Sequence, residues 1–199
     1  TLIARHLYAA GGISLLYGGI AQITNVAYRM TEKNGTIDFA ADSTTTHAGD
    51  KLPREYYGAN LRFKYVTSWG ATELRGEYWS GTQTAYQGTS ETPGTQPLDI
   101  VGKLLPMFIR PFSGGFFVFL QNIVNTKHQV GVKYDWYDPN TKVSGDDIGK
   151  APKEVGLGKT NATDIKYTTL GTGLIYHWDN NVRITAYYDM VKNETSKNL

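Results

Sequence analysis

Apolar and polar residues alternate along much of this chain, and no segment sustains the 3.6-residue period of an amphipathic helix. In residues 182–190 one face carries Val182, Ile184, Ala186, Tyr188 and Met190, and the other face carries Arg183, Thr185, Tyr187 and Asp189. The same alternation runs through residues 57–65, 71–83 and 128–137. This two-residue period predicts an all-β protein whose strands each have one apolar and one polar face.

The connections between these predicted strands differ in length in a regular way. Three are tight and rich in turn-forming residues, at 68–70, 125–127 and 179–181. Three are long and polar, at about 32–54, 84–110 and 138–163. Because short and long connections alternate, an antiparallel sheet places all the short ones at one end. This arrangement is typical of outer-membrane β-barrels, which have short periplasmic turns and long external loops.

We therefore predict a transmembrane antiparallel β-barrel, with residues 1–199 forming a single barrel domain of about eight strands. The first two strands are expected within residues 11–31. Aromatic residues lie near many predicted strand ends, where their amphipathic rings would form girdles at the two membrane interfaces. They are Tyr56, Tyr57, Trp69, Tyr78, Trp79, Tyr134, Trp136, Tyr137, Tyr176 and Trp178. The alternative is that tyrosine and tryptophan are simply favourable strand residues.

Composition excludes several other classes of protein. Lys and Arg number 20 against 18 Asp and Glu, a balance that does not favour a nucleic-acid-binding surface. The absence of cysteine excludes disulfides, thiol catalysis and cysteine-ligated metals. The chain contains no apolar run of the ~18 residues that a membrane-spanning helix needs. No His, Ser or acidic grouping has catalytic or metal-ligand spacing, so we expect no enzyme activity, no cofactor and no metal site.

The polar positions of the predicted strands supply a candidate path for solutes. If they line a lumen, nine ionisable side chains face it: Arg62, Lys64, Arg75, Lys133, Arg183, Glu73, Glu77, Asp135 and Asp189. Rows of basic residues suit pores that pass anions. The alternative is that these bases pair across strands with the carboxylates and only keep the lumen hydrated.

One predicted long connection is unusually apolar. Residues 104–112 read Leu-Leu-Pro-Met-Phe-Ile-Arg-Pro-Phe, within a segment that we place at 84–114. An apolar stretch of this kind marks a contact. It could fold into the lumen as a constriction loop, or it could pack on the barrel rim or on a partner subunit.

Several segments also resemble a known family. Residues 133–141, 162–171, 178–182 and 186–194 resemble the C-terminal half of porins of the phosphate-selective porin O and P type, in the variety common in Bacteroidota. Residues 74–83, 114–116 and 121–123 fit the preceding strands of that family. The resemblance spans roughly residues 55–195 and consists of strand and turn signatures.

The resemblance implies passive diffusion of small hydrophilic, anionic solutes such as phosphate across the outer membrane of a Gram-negative bacterium. It also implies contact with outer-membrane lipid and assembly as a homotrimer or larger membrane complex. Members of the family are barrels of about 16 strands, so the chain is expected to be part of a larger barrel. A closed eight-stranded barrel with a lumen filled by side chains is the alternative fold.

Two other functions are compatible with the pattern. One is a structural or docking β-barrel with a plugged lumen, which holds a partner protein through its external loops. The other is a soluble β-sandwich that binds carbohydrate through exposed Trp and Tyr side chains. Solute-dependent conductance separates the first from a porin, and partitioning into detergent separates the second.

Overall fold

The computed structural model describes residues 2–4, 6–42, 48–123, 127–150, 157–158 and 160–195. These residues form eleven β-strands: β1 (Leu2–Ala4), β2 (Leu7–Ala21), β3 (Ala27–Lys33), β4 (Thr36–Asp42), β5 (Lys51–Thr67), β6 (Gly70–Tyr86), β7 (Met107–Asn122), β8 (His128–Asp138), β9 (Leu157–Gly158), β10 (Tyr167–His177) and β11 (Arg183–Asn193). Short 3₁₀ turns occupy Gly145–Asp147 and Ala162–Asp164. The predicted all-β class is confirmed. Within the described ranges, no helix has the length and apolar character needed to cross a membrane.

The short strand β1 and seven longer strands form one antiparallel sheet in the order β1-β2-β5-β6-β7-β8-β10-β11. Neighbouring strands pair in continuous register, for example over all fifteen residues of β2 against β5. In the described part of the chain, β1 pairs only with β2 and β11 pairs only with β10, so the sheet is open. A barrel closed from these strands alone, the eight-stranded alternative, is therefore wrong.

The two ends of the sheet differ as the connection lengths predicted. At one end, β5 and β6 are joined by Ser68 and Trp69 alone. In the turn between β10 and β11, the Asp179 carboxylate accepts hydrogen bonds from the backbone N–H groups of Asn181 and Val182, at 2.7 and 2.8 Å. The predicted turn at 125–127 lies largely outside the described residues. All three long connections, residues 22–50, 87–106 and 139–166, leave from the opposite end, which we call the long-connection end.

The N-terminal prediction needs correction. Two strands do occupy residues 11–31, but the first is the end of β2, which begins at Leu7, and the second is the short β3 of a hairpin. The described residues therefore hold seven strands of 11 to 17 residues instead of the eight predicted. The predicted loop at 32–54 contains β4 and the start of β5. The chain turns between β3 and β4 at Asn34 and Gly35, whose φ angles are 48° and 70°. A two-residue hairpin turn of this kind requires positive φ at both positions.

The β3–β4 hairpin extends the sheet beyond the ends of the long strands. Two residues of β3 pair in parallel with Phe108 and Ile109 of β7, and β4 pairs with β9. The predicted loop at 84–110 is also too long at both boundaries, because β6 extends to Tyr86 and β7 begins at Met107. Met107 and Ile109 are buried in the apolar core with Ile20, Ala27 and Leu52. Burial in this core explains the apolar character of residues 107–109, which belong to strand β7.

Gly81 of β6 shows how closely β5 and β6 approach at this end of the sheet. A Cβ atom at position 81 would lie 1.8 Å from the backbone oxygen of Glu55. We expect Gly81→Ala to lower the free energy of unfolding by about 1–3 kcal/mol, because the strand backbone has to shift. Thermal or denaturant unfolding measures this loss. Gly94→Ala is the control, because nothing lies within 4 Å of a Cβ there. Equal stability of the two variants would contradict the prediction.

Candidate functional site

The sheet has two chemically different faces. One face, which we call the apolar face, exposes large apolar side chains on every long strand from β5 to β11. Each of the following is more than a third exposed: Tyr57, Leu61, Phe63, Leu74, Tyr78, Phe117, Phe119, Val130, Val132, Tyr134, Leu170, Leu174, Ile184, Tyr188 and Met190. The cross-strand register places them side by side, for instance Leu74 opposite Phe119 and Phe119 opposite Val132. The patch therefore continues without a break across six neighbouring strands.

All nine ionisable residues predicted to face a lumen lie on the opposite, polar face. They fall into cross-strand rows. The first row, which we call the basic row, runs from β5 to β11 through Arg62, Arg75, Val118, Lys133, Gly171 and Asp189. At ~4.8 Å between strands, it is about 24 Å long. The adjacent row toward the long-connection end contains Glu77 and Asp135, on either side of Phe116. Glu77 and Asp135 thus lie one level away from the bases of the basic row, whereas Asp189 lies in that row itself.

The β5–β6 part of the polar face holds two arginines on one carboxylate. Arg62 Nε lies 2.7 Å from Glu73 Oε1, and Arg75 Nε contacts the same oxygen. Glu73 is largely buried, whereas both arginines are nearly half exposed. The Arg62 guanidinium also lies 5.8 Å from the centre of the Tyr8 ring. Because two cations share one anion, this cluster keeps a net positive charge beside open space.

A cluster around Lys133 on β8 has the opposite balance. Lys133 Nζ lies 3.0 Å from Asp135 Oδ2 and 3.8 Å from Asp189 Oδ1. It also lies 5.8 Å from the centre of the Tyr187 ring. Gly171 leaves the space for this contact, since a Cβ there would lie 2.3 Å from Asp189 Oδ1 and 2.5 Å from the Tyr187 hydroxyl. One cation between two carboxylates carries a net negative charge.

Local pairing occurs at Glu73 and at Lys133, as the alternative interpretation expected. Within the described ranges, Lys64, Arg183 and Glu77 make no ion pair within 4.0 Å. Of the nine residues, β5 and β6 carry three bases and two acids, whereas β8 and β11 carry two bases and two acids.

The aromatic prediction needs correction in part. Three of the predicted girdle residues, Tyr56, Trp79 and Tyr137, lie on the polar face, because each follows or precedes in sequence an aromatic residue of the apolar face. Neighbours in a strand point to opposite sides of the sheet. On the apolar face, the Tyr78 and Trp136 rings lie on either side of Gly115 with their centres 6.3 Å apart.

Sequence reasoning missed a buried ion pair at the long-connection end. Arg110 Nε lies 2.9 Å from Asp164 Oδ1, and both side chains are almost fully buried. The other guanidinium nitrogens donate to the Thr89 carbonyl at 2.7 Å and to Thr163 Oγ1 at 3.2 Å. The Phe39 ring centre lies 5.2 Å from Arg110 Cζ. One guanidinium therefore contacts all three long connections, through Phe39, Thr89 and the 163–164 pair.

The Asp164 carboxylate also accepts hydrogen bonds from two other residues. Asp164 Oδ1 accepts a hydrogen bond from the Asn140 side-chain amide at 2.8 Å, and Oδ2 accepts one from the Asn161 N–H at 2.9 Å. The signal available in the sequence was a single arginine inside the apolar run 104–112. A charged residue in such a run indicates that it pairs with another buried group. No neighbouring residue in the sequence identifies that group.

No protein-family model, no curated protein and no solved structure matches this chain.

Proposed function

We propose that this sheet is part of the wall of an outer-membrane porin, and that it allows passive diffusion of small hydrophilic, anionic solutes such as phosphate. The observation that carries the proposal is the pairing of a continuous exposed apolar face with a polar face that holds all nine ionisable residues. An apolar patch across six strands is far larger than an ordinary soluble surface exposes, and lipid would cover it. In this arrangement the polar face lines water, where the charged groups stay hydrated.

The dimensions of the sheet support a membrane position. Along β8, Trp136 and His128 are eight residues apart, and the His128 ring packs against Tyr176 at a centroid distance of 5.1 Å. That separation is about 26 Å along the strand, which for the usual 35–45° tilt gives a height of about 20 Å. Barrels in outer membranes have an apolar band of ~25 Å between aromatic girdles.

The unpaired edges also favour a larger barrel. In the part of the chain that the structure describes, β11 pairs with β10 along one side, and its other side is an open edge eleven residues long with both faces exposed. Long open edges promote aggregation, and closure into a barrel removes them. We propose that further strands cover β2 and β11 in a barrel of about 16 strands in the outer membrane of a Gram-negative bacterium. Lipid is then its main partner, and no catalysis is involved.

Planar-bilayer recording tests the proposal on the full-length protein. We expect discrete open steps and, across a salt gradient, a reversal potential of anion sign in chloride and in phosphate. A second candidate, a docking barrel with a plugged lumen, is favoured by the packed long-connection end around Arg110. Inserted, folded protein that passes no current would contradict the porin and favour the docking barrel.

Ion preference depends on the basic row in this proposal. We expect the triple variant Arg62→Gln, Arg75→Gln, Lys133→Gln to shift the reversal potential toward cations, because it leaves Glu73, Asp135 and Asp189 without their cations. Glu73→Gln should shift it the other way, since two arginines lose their shared carboxylate. The control is Arg29→Gln, which removes an ion pair with Asp42 on the β3–β4 hairpin. Unchanged preference in the triple variant would contradict a role for the row.

A further inference from the structure

A cleft opens on the polar face between the basic row and the long-connection end. Its volume is about 560 Å³, within the range of small-molecule sites. Four aromatic rings contribute to its lining, from Tyr56, Trp79, Phe112 and Tyr137, together with the polar side chains of Glu77 and Gln83. Phe112 packs edge-on against Tyr56 with ring centroids 4.9 Å apart. The wall is therefore a preformed aromatic surface beside a few polar groups.

Trp79 lies against the sheet because its neighbours on this face are glycines. Gly58 and Gly114 are its cross-strand partners on β5 and β7. A Cβ at Gly114 would lie 2.6 to 2.8 Å from three atoms of the indole, Nε1, Cε2 and Cζ2. These distances show that the indole packs closely over Gly114, where only a glycine leaves room for it. The half-buried Trp79 side chain also contributes to the lining of the cleft.

Two polar groups of the cleft have no protein partner. In the part of the chain that the structure describes, the Glu77 carboxylate and the Trp79 indole N–H make no hydrogen bond or ion pair. Gln83 Nε2 donates to the hydroxyl of the half-buried Tyr137 at 2.8 Å, which leaves the Tyr137 O–H hydrogen for a ligand. Polar groups that converge on an apolar pocket usually fix the orientation of a bound molecule.

We propose that this cleft binds a pyranose ring of a neutral sugar, which stacks on Trp79 and donates a hydroxyl hydrogen bond to Glu77. The C–H groups on one side of a pyranose carry a small positive charge and suit the negative face of an aromatic ring. Its hydroxyls suit a mixed set of acceptors and donors such as Glu77, the Tyr137 hydroxyl and the indole N–H. The Glu77 charge disfavours an anionic ligand here, so the cleft and the basic row select different solutes.

This inference rests on the proposed function, because it names a solute class for the same lumen-facing surface. Two measurements on the full-length protein test it. The first is saturation-transfer NMR on the detergent-solubilised protein with D-glucose, maltose and cellobiose. The second is sugar-dependent interruption of single-channel current. We expect saturable binding, weakened about tenfold or more by Trp79→Ala and only partly by Trp79→Phe, which keeps a ring but loses the N–H donor.

Glu77→Gln, which keeps the shape of the side chain, should weaken sugar binding less than loss of the ring. Trp69→Ala is the matched control, since Trp69 lies exposed in the turn at the opposite end of the sheet. Sugar binding without any current would support the cleft and contradict the porin. Ion current without sugar binding would overturn the cleft and leave the porin standing. Equal sugar affinity in Trp79→Ala and the unmodified protein would also overturn the cleft.

Discussion

Replacement of Asp164 by alanine is expected to lower the free energy of unfolding by about 3–5 kcal/mol, because it leaves the buried Arg110 charge unpaired. Arg110 and Asp164 are 1% and 0% exposed, so water does not replace the lost carboxylate. The same substitution removes the acceptor for the Asn140 amide and the acceptor for the Asn161 backbone N–H in the capping box of the Ala162–Asp164 turn. Thermal unfolding of the purified protein measures the loss. Limited proteolysis should show faster cleavage within residues 87–106 and 139–166.

The double variant Arg110→Met, Asp164→Leu separates the charge from the packing. Replacement of a buried ion pair by apolar side chains of similar size is often neutral or stabilising. We therefore expect the double variant to recover most of the stability that Asp164→Ala loses. Asp146→Ala, at an exposed position of the same long connection, is the surface control. A double variant no more stable than Asp164→Ala would show that hydrogen bonding at Asn140 and Asn161, and not the buried charge, dominates.

The sequence predicts the strands and their faces better than it predicts contacts between the long connections, and this difference has a physical cause. A period of two fixes which residues share a face, so residues 57–65, 71–83, 128–137 and 182–190 could be assigned to strands from sequence. The nine ionisable residues fall on one face for the same reason. The Arg110–Asp164 contact joins residues 54 positions apart, and no local pattern encodes a pairing over that distance. Pairing of this kind depends on how three long connections pack.

Two errors were avoidable from sequence. Asn34-Gly35 is a strong signal for a two-residue hairpin turn, and it stands inside the segment that we predicted as a loop. The aromatic pairs Tyr56–Tyr57, Tyr78–Trp79 and Trp136–Tyr137 cannot place both members on one face of a strand. The two-residue period of a strand places one member of each pair on the apolar face and the other on the polar face, where the sugar cleft lies. Boundaries such as the start of β7 were harder, because an apolar run fits a buried strand and a buried loop equally well.

Introduction of a charge on the apolar face tests the membrane position most directly. We expect Phe117→Arg to cost about 2–4 kcal/mol of folding free energy in a bilayer, because an arginine at mid-depth faces lipid. Phe117 is 53% exposed, and its cross-strand neighbours are Gly76 and Tyr134 of the same face. Folding into lipid vesicles, followed by circular dichroism across a urea titration, measures this cost. The fraction of protein recovered in outer membranes should fall in parallel.

The neighbouring residue supplies a matched control in the same strand and of the same type. Phe116 lies on the polar face, opposite Glu77 on β6 and Asp135 on β8. An arginine at position 116 would stand between two carboxylates in water, so Phe116→Arg should fold into vesicles nearly as well as the unmodified protein. If the apolar face instead packs against a protein partner in water, Phe117→Arg will fold normally without lipid and fail only in assembly. Equal vesicle folding of the two variants would contradict a lipid-facing surface, because the same substitution then costs the same on either face of β7.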